Sequence, residues 1–175
     1  MAYCSQVFLS ADRLIAVCND RLTCWLLPND KQASDIPVKG DSVKASWVYQ
    51  FLQHFENQGL FNRTTGAISG DFARIAVNNR PGVVTILDAD TGKVIGEVLC
   101  LAELPFQLTP DGSRMLSFKN DGQLHLHHVD GHRDMLNLGV FGPSTSKMTS
   151  DGTRIVVGSP DGIVRVLDGT PWEEN

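Results

Sequence analysis

An arginine followed by an apolar residue recurs at Arg74-Ile75, Arg114-Met115 and Arg154-Ile155, at intervals of 40 residues. Each pair opens the same cassette: residues 70–88 read GDFARIAVNNRPGVVTILD, residues 110–128 PDGSRMLSFKNDGQLHLHH, and residues 149–168 TSDGTRIVVGSPDGIVRVLD. In each, a tight turn leads into an apolar run, a second turn, and another apolar run, which is the pattern of an antiparallel hairpin. A fourth copy fits without a gap when Arg13-Leu14 is taken as its anchor, which places Leu26 opposite Leu167 and Trp25 one residue before it. The first interval is 61 residues, so it carries about twenty extra.

A period near forty residues with several strands per period is the signature of a propeller blade. Segments 66–69, 106–109 and 146–149 supply innermost strands at the same interval, and segments 93–99 and 134–138 supply outer ones. A lone twisted sheet of this kind cannot bury both faces, whereas radial packing covers each face with a neighbouring sheet. That accounts for strands that are apolar on both sides, such as Ile163, Val164, Val166 and Leu167. The expected architecture is all-β: a propeller-like array of about four blades of four-stranded antiparallel sheets. It forms one partial domain across residues 1–175, with blade cores at 6–27, 66–99, 104–138 and 145–168. The last copy stops after its third strand, since residues 169–175 (GTPWEEN) are short and polar.

The extra residues lie at 41–59. Val43, Trp47, Phe51 and Phe55 recur there every four residues, which predicts a short helical insertion, capped by Asp41 or Ser42 and ended by Gly59. The competing pattern is an outer strand in which Trp47, Tyr49 and Phe51 alternate.

The units from Ser10 to Asp168 resemble the WD-repeat β-propellers. The resemblance rests on the turn Pro110-Asp111-Gly112 and its variant Ser150-Asp151-Gly152, on the hairpin turn Ser159–Gly162, and on the strand ending Val164–Asp168. Leu26, Leu87, Leu167 and His127 stand where the family has tryptophan. The family's Gly-His dipeptide before the innermost strand is missing; Gly131-His132 falls at a later turn, so the family's buried Asp–His–Ser–Trp network does not transfer. The resemblance implies a protein-interaction scaffold with protein partners. Because the family's propellers close with more blades, it also implies an array completed by a partner, by a homodimer that closes the ring, or by the remainder of a longer chain.

Net charge is −5 with no run of Lys or Arg, which argues against a nucleic-acid footprint. No apolar run reaches the ~20 residues that span a bilayer, and the opening MAYCSQVFLSADR lacks the basic leader and apolar core of a secretory signal. Cys4, Cys18, Cys24 and Cys100 have no metal spacing. They read as small apolar strand residues of a reducing compartment, hence a cytoplasmic protein.

The densest polar cluster holds His125, His127, His128, Asp130, His132 and Asp134. His125 and His127 share a strand face, as two metal ligands do. In the repeat register, however, they match Thr85/Arg165 and Leu87/Leu167, which are packing positions. The scattered turn aspartates (Asp88, Asp90, Asp111, Asp121, Asp151, Asp161) fit turn chemistry, in which the carboxylate accepts from nearby backbone N–H groups. No catalytic residue, metal or cofactor is expected. The alternative is a propeller hydrolase or lactonase with channel-lining His and Asp, and it fails if His125 and His127 lie between blades. Partner contact is expected from Trp47, Tyr49, Phe51 and Phe55 in the insertion, and from Arg80 and Lys119 on hairpin turns.

Overall fold

A computed structural model describes residues 4–18, 21–27, 45–50, 65–80, 82–99, 106–119, 121–130, 134–142 and 145–168. The strands among them form four separate sheets, and neighbouring strands pair antiparallel throughout. Blade 1 holds β1 (Cys4–Leu9), β2 (Arg13–Cys18), β3 (Arg21–Leu26) and β4 (Trp47–Gln50). Blade 2 holds β5 (Gly66–Ile68), β6 (Arg74–Arg80), β7 (Val83–Asp88) and β8 (Val94–Leu99). Blade 3 holds β9 (Gln107–Leu108), β10 (Arg114–Phe118), β11 (Gln123–His128) and β12 (Asp134–Val140). Blade 4 has three strands among the described residues, β13 (Thr145–Met148), β14 (Arg154–Gly158) and β15 (Val164–Asp168).

The repeat is built by one local device. A Ser or Thr hydroxyl donates to the aspartate two residues on, at 2.6 Å for Ser10–Asp12, 2.5 Å for Ser69–Asp71, 2.6 Å for Thr109–Asp111 and 2.5 Å for Thr149–Asp151. The same hydroxyl accepts the backbone N–H of the arginine that starts the next strand: Arg13, Arg74, Arg114 and Arg154. In blades 2 to 4 the aspartate also accepts from a backbone amide, at Ala73, Ser113 and Thr153, each 3.0 Å. Such side-chain closure explains why these residue types open every unit. Gly112 and Gly152 take the left-handed position of this turn, at φ 65° and 72°. Blade 2 places Phe72 there, at φ 58°.

Two expectations are corrected. The helix expected within 41–59 is not what its described part forms: Trp47–Gln50 is β4, the fourth strand of blade 1, paired with β3. Trp47 and Tyr49 alternate inward against an apolar cluster while Val48 and Gln50 are exposed, so the period of two prevails over the period of four. The register of the first copy also shifts by one. Leu14 pairs with Trp25, as Ile75 pairs with Leu87 and Ile155 with Leu167. Trp25, not Leu26, therefore stands at the register of Leu87 and Leu167, because 11 residues separate Leu14 from Trp25 where 12 separate Ile155 from Leu167.

Among the described residues three apolar clusters make the core, and each lies between consecutive blades. Ile15, Val17, Leu22 and Cys24 of blade 1 meet Ile75, Val77 and Leu87 of blade 2. Ala76, Val84, Ile86 and Val98 of blade 2 meet Phe106, Leu108 and Met115 of blade 3. Leu116, Phe118 and Leu124 of blade 3 meet Ile155 and Val157 of blade 4. Each fully buried aliphatic side chain contributes about 1.5–3 kcal/mol, so stability resides mainly in blade-to-blade contact.

Candidate interaction faces

Because side chains alternate along a strand, each blade has one row that faces the preceding blade and one that faces the next. In blade 2, Ile75 and Leu87 face back to blade 1, whereas Ala76, Val84 and Ile86 face forward to blade 3, and all five are fully buried. Blade 4 repeats the forward row 80 residues on, as Val156, Val164 and Val166. Val164 is 67% exposed and Val166 61%. Blade 1 repeats the backward row as Leu9, Leu14 and Trp25, at the register of Ile68, Ile75 and Leu87. There Leu9 is 57% exposed and its neighbour Val7 59%. The two ends of the array thus present residues that are core elsewhere in the same molecule.

Polar contacts also join consecutive blades. Arg13 of blade 1 forms an ion pair with Asp90 of blade 2, and Arg74 of blade 2 forms the equivalent pair with Asp130 of blade 3, at 3.0 Å. Arg74 also donates to the Gly112 carbonyl oxygen, at 3.2 Å, and lies against the turn so closely that a Cβ on Gly112 would sit 2.8 Å from Arg74 Cδ. The acidic partners are more than half exposed, so these pairs add little energy and act chiefly on register. Along the innermost strands, Gln6 of blade 1 accepts from the Gly66 amide of blade 2. Gln107 of blade 3 likewise accepts from the Met148 amide of blade 4, at 3.1 Å, and donates to the Ser146 carbonyl oxygen.

His125 and His127 lie between blades. They pair across the ladder with Ser117 and Met115, and Met115 belongs to the cluster that joins blade 3 to blade 2. Both imidazoles are buried, their rings stack at 6.0 Å, and His127 Nε2 shares a hydrogen bond of 2.8 Å with Ser117 Oγ. This is the placement under which the channel-lining metal site fails. No group of three or more His, Cys, Asp or Glu side chains suited to a metal occurs among the described residues. Among the turn aspartates, the neighbouring hydroxyls and amides hold the carboxyls of Asp111 and Asp151 down at about 2, the Thr109 and Thr149 hydroxyls contributing most.

The residues expected to touch a partner are dispersed. Trp47 packs into the blade 1–blade 2 cluster and its indole N–H donates to the Ala89 carbonyl oxygen, at 3.1 Å. A Cβ on Gly92 (φ 68°) would lie 2.6 Å from the Trp47 ring, so the blade 2 turn is shaped around the indole. Tyr49 packs against the same cluster. Phe51 and Phe55 lie outside the described residues, as does the Arg80 side chain, whose backbone ends β6. Lys119 is half-buried in the β10–β11 turn, where its amide donates to the Gln123 carbonyl oxygen. The cysteines do not share the single reduced state read from the sequence. Cys24 is a free buried thiol whose pKa is pushed up by burial, whereas Cys18 is disulfide-bonded and stands opposite Cys4 in the β1–β2 register. The sequence reading implied an open array but did not single out these rows on blades 1 and 4, because their apolar pattern is the same in every copy.

Four sheets of three or four described strands, with cores between them, define an all-β, propeller-like array. No protein family matches the sequence, and no curated protein matches it. Among solved structures, the chain is similar to BamB from Moraxella catarrhalis, a β-propeller, with a TM-score of 0.61 and 14% identity. The similarity covers 93% of this chain and 42% of that one, so this chain spans less than half the length of the propeller it matches.

Proposed function

We propose that the chain is a non-catalytic protein-interaction scaffold of WD-repeat-like type, and that a protein partner docks on its exposed apolar rows. The observation that carries this reading is the exposure of Val164 and Val166 on one end, and of Val7 and Leu9 on the other, at positions in register with inter-blade core. Apolar rows of this kind mark interaction surfaces. The WD-repeat character is supported by the Asp-Gly turns that open blades 3 and 4, and by Trp25 in the tryptophan register of blade 1.

Site-specific photo-crosslinking tests the reading. A photoreactive residue at Val164 or Val7 is expected to give a discrete adduct to one protein species, identified by peptide mass. The same residue at Lys93, exposed on the outer turn of blade 2, is expected to give none. Equal labelling at all three positions, or none at either end, would sink the proposal.

A further inference from the structure

We infer that Ser159 is a phosphorylation site whose phosphoryl group is held by Arg165. The site lies in the β14–β15 turn, away from the apolar rows, and does not depend on the scaffold reading.

That turn departs from its repeat. Forty residues earlier, blade 3 has Lys119 in the place of Ser159 and His125 in the place of Arg165, and blade 2 has Thr85 at the latter. His125 and Thr85 are buried, whereas the Arg165 side chain is 40% exposed. Its guanidinium lies over the Phe141 ring, 5.9 Å from the centroid, and its Nη1 donates to Ser159 Oγ at 2.8 Å. Asp161 Oδ2 stands 3.9 Å from Nη2. Contact with a ring face fixes the plane of the guanidinium and leaves the edge of its fork for an anion. A phosphoryl group on Ser159 Oγ therefore forms beside a cation already in place. Charge-assisted N–H···O bonds to its oxygens then replace the long contact with Asp161.

The hydroxyl is placed for the reaction. Ser159 is half-buried, and Pro160, Asp161 and Gly162 are exposed. Asp121 of blade 3, at the register of Asp161, is exposed too although blade 4 follows it, so an open tip does not depend on what adjoins the blade. Two backbone bonds close the turn, from the Ser159 amide to the Ile163 carbonyl oxygen and from the Gly162 amide to the Ser159 carbonyl oxygen, each 3.0 Å. Both are local, so the tip opens into a kinase cleft without breaking the apolar cluster between blades 3 and 4. Pro160 fixes its own φ and offers no N–H, the feature by which proline-directed kinases choose their serines. Thr109-Pro110 has the same dipeptide pattern, but there the hydroxyl is buried and donates to Asp111. In the reaction Ser159 Oγ attacks the γ-phosphorus of ATP. The bond to the bridging oxygen breaks, ADP leaves with that electron pair, and the hydroxyl proton passes to the catalytic carboxylate of the kinase.

The test uses the folded full chain with Thr170→Ala, which removes the remaining Thr-Pro dipeptide. It is incubated with ATP and a proline-directed serine kinase. Peptide mass is expected to place a single phosphoryl group on Ser159 and none on Thr109, and Ser159→Ala should abolish labelling. The phosphorus-31 resonance should titrate below the ordinary second pKa of about 6, because Arg165 favours the dianion. Arg165→Gln should return the midpoint to at least that value, and Asp161→Asn, which removes a like charge, should lower it further. No label on Ser159, or label on Thr109 in its place, would overturn the site. A titration indifferent to both substitutions would overturn the role of Arg165.

Discussion

Phe72 shows how much a single position departs from its repeat. It holds φ 58° where Gly112 and Gly152 hold 65° and 72°, and it keeps the same amide bond, to the Ser69 carbonyl oxygen at 3.0 Å. A Cβ in that region costs about 1–2 kcal/mol, so Phe72→Gly is expected to raise unfolding free energy by about 1 kcal/mol, measured as a higher urea midpoint at unchanged slope. His127 departs differently. Blades 2 and 4 carry Val77 with Leu87 and Val157 with Leu167 where blade 3 carries Ser117 with His127. Ser117→Val or His127→Leu alone removes one side of a buried hydrogen bond and is expected to cost about 1–3 kcal/mol. The double variant restores the apolar pair of the other blades and is expected to cost less than the sum, so a double-mutant cycle should return a clear coupling energy. Strictly additive single effects would mean that the Ser117–His127 bond carries no coupling.

At the scale of turns and strands, the aspartates of the repeated turn make stability depend on acid. Asp111 and Asp151 have folded pKa values of about 2 against an ordinary 3.8, so the unfolded chain takes up protons first as pH falls. Their contribution is complete above about pH 4 and is lost as pH falls toward 2. Both groups are largely exposed, so each increment is small. Denaturant midpoints are expected to be flat from pH 7 to 5 and to drop below 4, with a shallower drop in Asp111→Asn; an unchanged drop in that variant would contradict the assignment. These turns were legible in sequence because their chemistry is local: a Ser or Thr, an Asp two residues on, and an Arg at a fixed interval. The strand Trp47–Gln50 was not legible, because residues 43–55 satisfy a four-residue period and a two-residue period together. What decides between them is distant, namely the Ala89 carbonyl oxygen and the blade 2 face against which Trp47 and Tyr49 pack. The slip of Leu26 for Trp25 has a similar origin, since a hairpin one residue shorter changes which side chain stands opposite Leu14.

For the molecule as a whole, the sequence implied an open array but not which rows stay uncovered, because covered and uncovered rows have the same composition. Val84 and Val164 are the same residue type at the same register, one fully buried beneath blade 3 and one largely exposed, with nothing among the described residues packed over it. An array of this kind behaves nearly as a one-dimensional stack, its stability a sum of blade terms and junction terms. Blade 2 has a junction on each side, while blade 4 has one junction and three described strands. Native-state hydrogen exchange is therefore expected to be slowest in β6 and β7 and fastest in β14 and β15. Protection in β14 and β15 equal to that in β6 and β7 would mean that blade-to-blade junctions do not set the order of opening.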